Sequence, residues 1–253
     1  MQNPEKREKG TDEQSNISAD DLFNRGRDHY NGTGVPRDLA EAARWYHLAS
    51  DRGHVKAQYR LGLMYESGRG VPQSDADAVR YWRLAAEQGH TCSQSDLGMM
   101  YETGRGVTQD FKEALKWYRI AAEQGNTMAQ NNLGFMYEMG RGVPKNDSEA
   151  ERWWRRAAEL GNATAQYNLG SMYEKGRGVF RNEKEAAKWY RLAAEQGHAK
   201  AQYHLGHMYH QGKGVPKDND EALKWYELAA SQGHCGIRDI LSSIKGTEKR
   251  GTC

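Results

Sequence analysis

Serine, lysine and histidine side chains with the spacing of catalytic or metal-binding groups occur near the end of this 253-residue chain. Ser242 and Lys245 form a Ser-x-x-Lys pair, in which a serine nucleophile meets a lysine one helical turn later. The Ser-Asp-Asn and Lys-Thr-Gly elements that β-lactam hydrolysis also requires are missing. We therefore predict no enzymatic activity, with a β-lactamase-like hydrolase as the alternative.

A histidine cluster and a glycine-rich stretch lie between residues 204 and 214. Neighbouring members of His204, His207 and His210 could share a metal, but the outer pair points about 120° apart around a helix. No cysteine or carboxylate stands in this stretch, which favours a solvated or ligand-facing surface, with a pH-sensitive contact as a further alternative. The segment from Gly206 to Lys213 is one residue too long for a phosphate-binding loop. We predict no metal and no cofactor.

Composition narrows the class of protein. A net charge of +2 lacks the basic excess of a nucleic-acid binder, so we expect no nucleic-acid partner. Leu, Ile, Val and Phe make up only about 13% of the chain, below the roughly 20% usual in folded domains. Seven Trp, fourteen Tyr and twenty-eight Ala compensate, and a core of alanine and aromatic rings is therefore expected.

Signals for export, membrane insertion and disulfide bonding are absent from the sequence. Residues 1–18 contain no apolar run that could serve as a signal-peptide core, and no window approaches the roughly 18 apolar residues of a membrane span. Cys92, Cys235 and Cys253 fit neither a disulfide framework nor a zinc motif. We expect a cytoplasmic protein without membrane insertion.

Glycines repeat along the chain with a period of thirty-six residues. Two such series are Gly26, Gly62, Gly98, Gly134, Gly170 and Gly206, and Gly53, Gly89, Gly125, Gly161, Gly197 and Gly233. They define six units without insertions, at 19–54, 55–90, 91–126, 127–162, 163–198 and 199–234. Each unit is predicted to contain a first helix, a Gly-x-Gly-Val loop, a second helix and a closing glycine.

Every second helix carries its own start signal, a side chain that caps orphan N–H groups. These residues are Asp38, Ser74, Asp110, Asn146, Asn182 and Asp218, each followed three places later by an acidic residue. An apolar stripe follows, in the third unit Ala114, Trp117, Tyr118, Ala121 and Ala122. In the first helix, Gly62 would let the neighbouring helix approach closely. One unit cannot bury its apolar face alone, so the units must stack into an α-solenoid.

Three motifs in each unit resemble those of the Sel1-like repeat family, a relative of the tetratricopeptide repeats. In the fifth unit they are Ala165, Leu169, Gly170 and Tyr173; Gly176, Gly178 and Val179; and Trp189, Tyr190, Ala193, Ala194 and Gly197. The resemblance covers about 216 of 253 residues. It implies an all-α, right-handed solenoid of helix pairs that acts as a protein-binding adaptor. Secreted, cysteine-rich members described as β-lactamase-like carry a disulfide in each repeat, and no such cysteine pairs occur here.

The two ends of the chain depart from the repeat. Residues 1–18 and 246–253 are expected to be flexible tails. Four apolar residues between the last unit and the C-terminal tail keep helical spacing: Ile237, Ile240, Leu241 and Ile244. They predict a capping half-repeat over 235–245.

Positions that vary between the units are candidates for ligand contact, because stacking does not fix them. By resemblance to tetratricopeptide repeats, such positions on the first helices line the concave groove. The predicted partner-binding residues are Tyr59, Arg60, Leu63, Met99, Asn131, Asn132, Phe135, Tyr167, Asn168, Tyr203, His204 and His207. Rings, amides and charged groups together suit a protein or peptide ligand, and a merely hydrophilic inner wall is the alternative.

Another row of the first helix is nearly constant. Glutamates at Glu66, Glu102, Glu138 and Glu174 are followed three residues later by Arg69, Arg105, Arg141 and Arg177. This spacing predicts solvated ion pairs within each unit, with an acidic binding stripe as the alternative.

Overall fold

A computed structural model of the chain describes residues 17–233, and these form twelve α-helices with no strand among them. Each helix has thirteen residues, and odd-numbered helices are the first and even-numbered the second helices of the repeats. They are α1 (Ala19–Asn31), α2 (Leu39–Asp51), α3 (Val55–Ser67), α4 (Asp75–Glu87), α5 (Thr91–Thr103), α6 (Phe111–Glu123), α7 (Thr127–Met139), α8 (Asp147–Glu159), α9 (Ala163–Lys175), α10 (Glu183–Glu195), α11 (Ala199–Gln211) and α12 (Asn219–Ser231). The predicted all-α helix-pair repeat fold is confirmed.

The chain divides into two compact units that part at Ala121 and Ala122, within α6. The predicted half-repeat 235–245, the tail 246–253 and the Ser242–Lys245 pair lie outside the described residues, as does most of the predicted tail 1–18. Ile17 and Ser18 take part in the fold. Ile17 packs against the core cluster that contains Leu22 and Tyr46, and the Ser18 hydroxyl accepts the N–H of Asp21 at 3.1 Å.

The helix ends confirm the predicted capping signals. At the start of α2, the Asp38 carboxylate accepts the N–H groups of Ala40 and Glu41 at 2.9 and 3.0 Å. At the end of α5, Gly104 has a φ of +72° and donates its N–H to the carbonyl of Met100 at 2.9 Å. This left-handed turn stops the helix and reverses the chain.

Within each repeat, an aromatic ring of the second helix lies directly on a glycine of the first. A Cβ atom at Gly62 would stand 2.2 Å from Nε1 of Trp82, and one at Gly170 would stand 2.7 Å from Cδ1 of Tyr190. Both rings are 0% exposed. The rings meeting glycines in this way are Tyr46, Trp82, Tyr118, Trp154, Tyr190 and Tyr226. The close helix approach predicted at Gly62 is therefore confirmed.

The aromatic residue that precedes this ring has a different role. In the third repeat Tyr118 is fully buried, whereas Trp117 is only partly buried and packs on the edge of the core cluster. In this repeat the apolar stripe of the second helix therefore has a fully buried member and a half-buried one beside it, whereas the residues equivalent to Trp117 are buried in four other repeats, at Tyr81, Trp153, Trp189 and Trp225.

Buried glutamine side chains join successive repeats. Gln166 on α9 donates to the carbonyl of Ala158 at the end of α8 at 3.0 Å, and its own oxygen accepts from Gln196 at 2.7 Å. Gln202 makes the same two contacts, with Ala194 and Gln232. Each buried amide is thus satisfied on both sides, as burial requires.

Arginine and tyrosine form a second contact between neighbouring repeats. Arg83 donates to the hydroxyl of Tyr101 at 2.6 Å, and Arg155 donates to that of Tyr173 at 2.6 Å. In the first repeat His47 holds this position, and its two ring nitrogens bond the hydroxyls of Tyr65 and Tyr81 at 3.2 and 2.9 Å. Burial lowers the pKa of His47.

Two arginines of the glutamate–arginine row, Arg105 and Arg177, pair with a glutamate of the preceding repeat. The prediction of pairs within each repeat is wrong for these two. Arg105 contacts Glu66 at 3.2 Å and Asp75 at 2.7 Å, both in the preceding repeat. The cause is the second loop glycine: a Cβ at Gly106 would stand 2.3 Å from the carbonyl oxygen of Asp75. The loop therefore lies against the preceding second helix, and its arginine points backward.

Gly62→Ala tests the contact between ring and glycine. The new methyl group has no room against Trp82, so we expect the free energy of unfolding in urea to fall by about 2–3 kcal/mol. Lys56→Ala, at an exposed position on the same helix, should change it by less than about 0.5 kcal/mol. A loss below about 1 kcal/mol in Gly62→Ala would show that the ring moves aside easily.

The fourth repeat lacks one glutamine contact, and this gap gives a stabilising prediction. The buried Oε1 of Gln130 has no hydrogen-bond partner within residues 17–233, and Leu160, 62% exposed, stands where other repeats place the donor glutamine. Leu160→Gln should raise the free energy of unfolding by about 0.5–1.5 kcal/mol in chemical denaturation. Leu160→Ala, which removes the apolar side chain and adds no donor, is the control and should bring no comparable gain.

Candidate functional site

A cavity of about 520 Å³ opens on the first helices of the fourth to sixth repeats, in the compact part of the chain that begins at Ala122. It is referred to below as the aromatic cavity. Its lining comes mainly from α7, α9 and the start of α11, with Trp154 of α8 beneath. The lining residues are Phe135, Glu138, Trp154, Thr164, Tyr167, Asn168, Ser171, Lys175, Arg177, His198, Ala199 and Lys200.

Three of the predicted partner-binding residues lie together in this cavity. Phe135 is 40% exposed and meets Trp154 edge-on, with ring centroids 6.2 Å apart. Tyr167 stacks on the ring of His198 at 4.8 Å. Asn168 supplies an amide next to these rings. Apolar faces and a hydrogen-bonding group are thus presented side by side, as in many ligand pockets.

Asn131, a further predicted partner-binding residue, is buried, with only 8% of the residue exposed. Its side chain donates to Oδ1 of Asn132 at 3.3 Å and accepts from Asn168 at 3.2 Å. Its carbonyl accepts the indole N–H of Trp154 at 3.0 Å. Asn131 therefore orients Asn132 and Asn168 and holds the tryptophan below the cavity.

Tyr203, His204 and His207, also predicted, are half-buried on α11 and form an aromatic cluster. His204 Nδ1 lies 3.5 Å from the carboxylate of Glu174, which also accepts the hydroxyl of Tyr190 at 2.7 Å. These contacts, that of His204 above all, lower the pKa of Glu174 to about 2. His207 Nδ1 lies 3.4 Å from the hydroxyl of Tyr226.

The third histidine of the sequence cluster turns elsewhere. His210 Nδ1 bonds Oδ1 of Asn219 at 3.1 Å. His204, His207 and His210 thus have three different partners. Among residues 17–233, no three histidine, cysteine or acidic side chains stand close enough to hold a metal ion.

Four predicted residues remain, and they all lie in the compact part of the chain that ends at Ala121: Tyr59, Arg60, Leu63 and Met99. Tyr59 lies against His90 with centroids 4.5 Å apart, and Leu63 and Met99 pack on the core cluster around Trp82. Arg60 and Leu63 line a smaller cavity of about 260 Å³ with Tyr30, Glu66 and Arg69.

The same part of the chain contains an acidic side chain that was not among the predicted site residues. Asp96 is half-buried on α5. Burial, with a further contribution from the charge of Glu66, raises the pKa of Asp96 to about 7.

Several features of the aromatic cavity were not predicted from the sequence. Lys175, Arg177 and Lys200 place three positive charges in its lining. His198 caps α11, since its Nδ1 accepts the N–H of Ala201 at 3.2 Å. The sequence contained a signal for this cap. The residue after each of the first five closing glycines is a histidine or an asparagine, in order His54, His90, Asn126, Asn162 and His198.

The chemistry of the lining suits binding. Its two aliphatic hydroxyl groups, those of Thr164 and Ser171, have no hydrogen bond to an imidazole or a carboxylate within the described part of the chain. These two hydroxyls therefore lack the hydrogen-bonded base that activates a serine or threonine nucleophile. Across residues 17–233, no helix combines the length and the apolar character needed to cross a membrane.

Comparison with known proteins gives one family and several similar structures. A model described as the Sel1 repeat matches residues 20–54, 55–90, 93–126, 127–162, 163–198 and 199–234. A protective antigen of uropathogenic Escherichia coli strains, which displays an SLR fold, is 35% identical with a TM-score of 0.89, over 100% of this chain and 53% of that one. A Sel1 repeat protein from Oxalobacter formigenes is 38% identical with a TM-score of 0.83, over 91% of this chain and 67% of that one.

An immunity protein from Pseudomonas aeruginosa resembles the chain in fold, at 24% identity and a TM-score of 0.50. The chain spans about half the length of the Escherichia coli antigen, 53%. None of the curated proteins matches it.

The cap formed by His198 predicts a dependence of stability on pH. Burial, with the charge of Lys200, lowers the pKa of His198, and only the unprotonated Nδ1 accepts the helix N–H. Below the ordinary histidine pKa of about 6.5, the unfolded chain takes up a proton that the folded ring resists, so stability falls as the pH drops through this range. We expect the loss on going from pH 7.5 to pH 5.5 to be smaller in His198→Asn, measured by urea denaturation at each pH.

Asparagine is the matched replacement because Asn126 and Asn162 cap α7 and α9 in the same way and do not titrate. His198→Ala, which removes the cap, should lower stability by at least about 1 kcal/mol at pH 7.5. An unchanged pH profile in His198→Asn would show that other groups carry the acid sensitivity.

Proposed function

The chain belongs to the Sel1 repeat family, and from that premise we propose that it is a non-enzymatic scaffold that binds a peptide or protein segment on its first helices. Sel1 repeat proteins are in general protein-interaction scaffolds. The proposed binding surface is the aromatic cavity and the first-helix residues next to it.

The observation that carries this proposal is the exposed ring of Phe135 at the aromatic cavity. A phenylalanine that is 40% exposed retains apolar surface that folding has not removed from water. It stands beside the amide of Asn168, which offers both a donor and an acceptor to a peptide bond. Rigid rings with nearby amides are the usual anchors of protein interfaces.

The extent of the site also suits an extended segment. Its lining comes from three successive first helices, α7, α9 and α11. A segment that crosses them would contact side chains of three repeats at once.

Variation between repeats supports the choice of face. The positions equivalent to Phe135 hold Arg27, Leu63, Met99, Ser171 and His207, whereas the glycine one residue before each of them never changes. Stacking therefore fixes one position and leaves the next to be set by the ligand.

Phe135→Ala tests the proposed surface. Peptides selected from a displayed random library on the full chain provide the ligands, and their affinities are measured by fluorescence polarisation. Loss of the ring should weaken binding by at least about 1 kcal/mol, or roughly fivefold, because anchors of this kind dominate interface energies.

The control is Arg152→Ala on α8. Its side chain is 61% exposed, pairs with Glu149 and does not line the aromatic cavity. It should leave both affinity and the circular dichroism signal unchanged. Equal losses in the two variants, or full affinity in Phe135→Ala, would place binding on another face.

A further inference from the structure

We propose that the aromatic cavity selects acidic segments, in which a side-chain carboxylate stands next to a large apolar residue. This inference rests on the proposed function, since it names the chemical class of peptide for the same site. It follows from the charges of the lining, from their distribution among the repeats and from the exposed ring beside them.

Positive charge exceeds negative charge in the lining. Lys175, Arg177 and Lys200 face a single carboxylate, that of Glu138. Glu138 is already engaged by Arg177 at 2.6 Å, and its side chain is only 12% exposed. Within residues 17–233, neither lysine has an ion-pair partner. An incoming carboxylate would therefore meet two lysines whose charges no close ion pair offsets.

The neighbouring carboxylate of Glu174 reduces this excess without cancelling it. The charge of Lys175 acts on Glu174, but counting Glu174 together with Glu138 still leaves three positive groups against two negative ones. Lys200, by contrast, acts directly on the cavity wall, since its charge adds to burial in lowering the pKa of His198. The positive end of the site thus adjoins the stacked rings of Tyr167 and His198.

Arg177 binds fewer carboxylate oxygens than its equivalent in the third repeat. There Arg105 donates through Nε and Nη2 to Asp75 and through Nη1 to Glu66. Arg177 pairs with Glu138 through Nη1, while its Nε is buried and has no partner among the described residues. Arg177 therefore contributes to the site through its positive charge, and the two lysines are the groups that can contact an incoming carboxylate.

Comparison of the repeats shows that folding does not require these lysines. The positions equivalent to Lys175 hold Asn31, Ser67, Thr103, Met139 and Gln211, and those equivalent to Lys200 hold Asp20, Lys56, Cys92, Met128 and Thr164. The two lysines come from different rows and different repeats, and they meet at one cavity. A ligand accounts for this convergence, whereas stacking does not.

The apolar part of the ligand is set by Phe135, which is 40% exposed and supported edge-on by Trp154. A large apolar side chain of the ligand would cover this ring while a neighbouring carboxylate reaches the lysines. A polyphosphate chain would satisfy the charges but leave the ring uncovered. The bases of a nucleic acid could stack on the ring, but the net charge of +2 lacks the basic excess that nucleic-acid binders use. These observations favour a peptide.

The experiment uses the full chain and a positional-scanning library of N-acetylated, C-amidated hexapeptides, so that no terminal carboxylate is present. We expect enrichment of Asp or Glu beside Phe, Leu, Met or Trp, with affinities that decrease as salt is raised. In Lys175→Glu/Lys200→Glu, binding of the selected acidic peptide should fall at least about tenfold, and peptides with Lys or Arg should gain.

Lys188→Glu is the matched control. Lys188 is an exposed lysine on α10 that lies over the ring of Trp189 and outside the aromatic cavity. Reversal of its charge should leave the peptide preference unchanged. Lys175→Gln/Lys200→Gln, which removes charge without adding any, should lose less affinity than the glutamate variant, and circular dichroism should show intact helices in all variants.

The outcomes separate this inference from the proposed function. Peptide binding that depends on Phe135 but shows no preference for acidic residues, or no response to the lysine reversals, would overturn the acidic selectivity alone. Binding only to peptides with a free terminal carboxylate, or tighter binding of a single-stranded oligonucleotide than of any peptide, would also overturn it. If no peptide binds at all, the proposed function itself fails.

Discussion

The contact of an aromatic ring with a bare glycine backbone sets the geometry of every repeat. Because Trp82 leaves no space for a Cβ at Gly62, the two helices of that pair pack at a distance that only glycine allows. Most of the remaining core is alanine, and small side chains keep the surrounding surfaces equally close. This explains how a chain poor in leucine, isoleucine and valine buries closely packed core clusters.

Contacts between repeats combine apolar packing with polar bonds of defined direction. Core clusters extend from one repeat into the next, as where Ala49 and Leu61 share a cluster. The buried glutamines, the arginine–tyrosine bonds and the backward-pointing loop arginines all join one repeat to the one before it. Hydrogen bonds need defined directions, so they fix the register of each stacked pair more sharply than apolar contact alone. With register fixed by these residues, other positions on the first helices are free to differ, and the aromatic cavity occupies such positions.

Much of the fold is predictable from the sequence because the determining features are local and recur six times. Caps such as Asp38, the left-handed glycine turns and the apolar stripes need only neighbouring residues for their recognition. The pairing of Arg105 with the preceding repeat was not predictable from spacing, because it depends on how the loop glycine meets Asp75. Likewise, Lys175 and Lys200 are far apart along the repeat pattern, and only stacking brings them to one cavity. The burial of Asn131 follows from its contact with Trp154, which no single-helix pattern contains.

The glutamine contacts have a consequence for how proteins of this kind change in length. Gln166 and Gln202 bind equivalent backbone carbonyls, each in the preceding repeat, and equivalent amide partners in their own repeats. A duplicated 36-residue segment would therefore carry the glutamine near one end and the carbonyl near the other, and it would join its neighbours without compensating mutations. Duplication and deletion of whole repeats can then alter the number of units, while point substitutions on the first helices alter the ligand. The two kinds of genetic change act on separate properties of the protein.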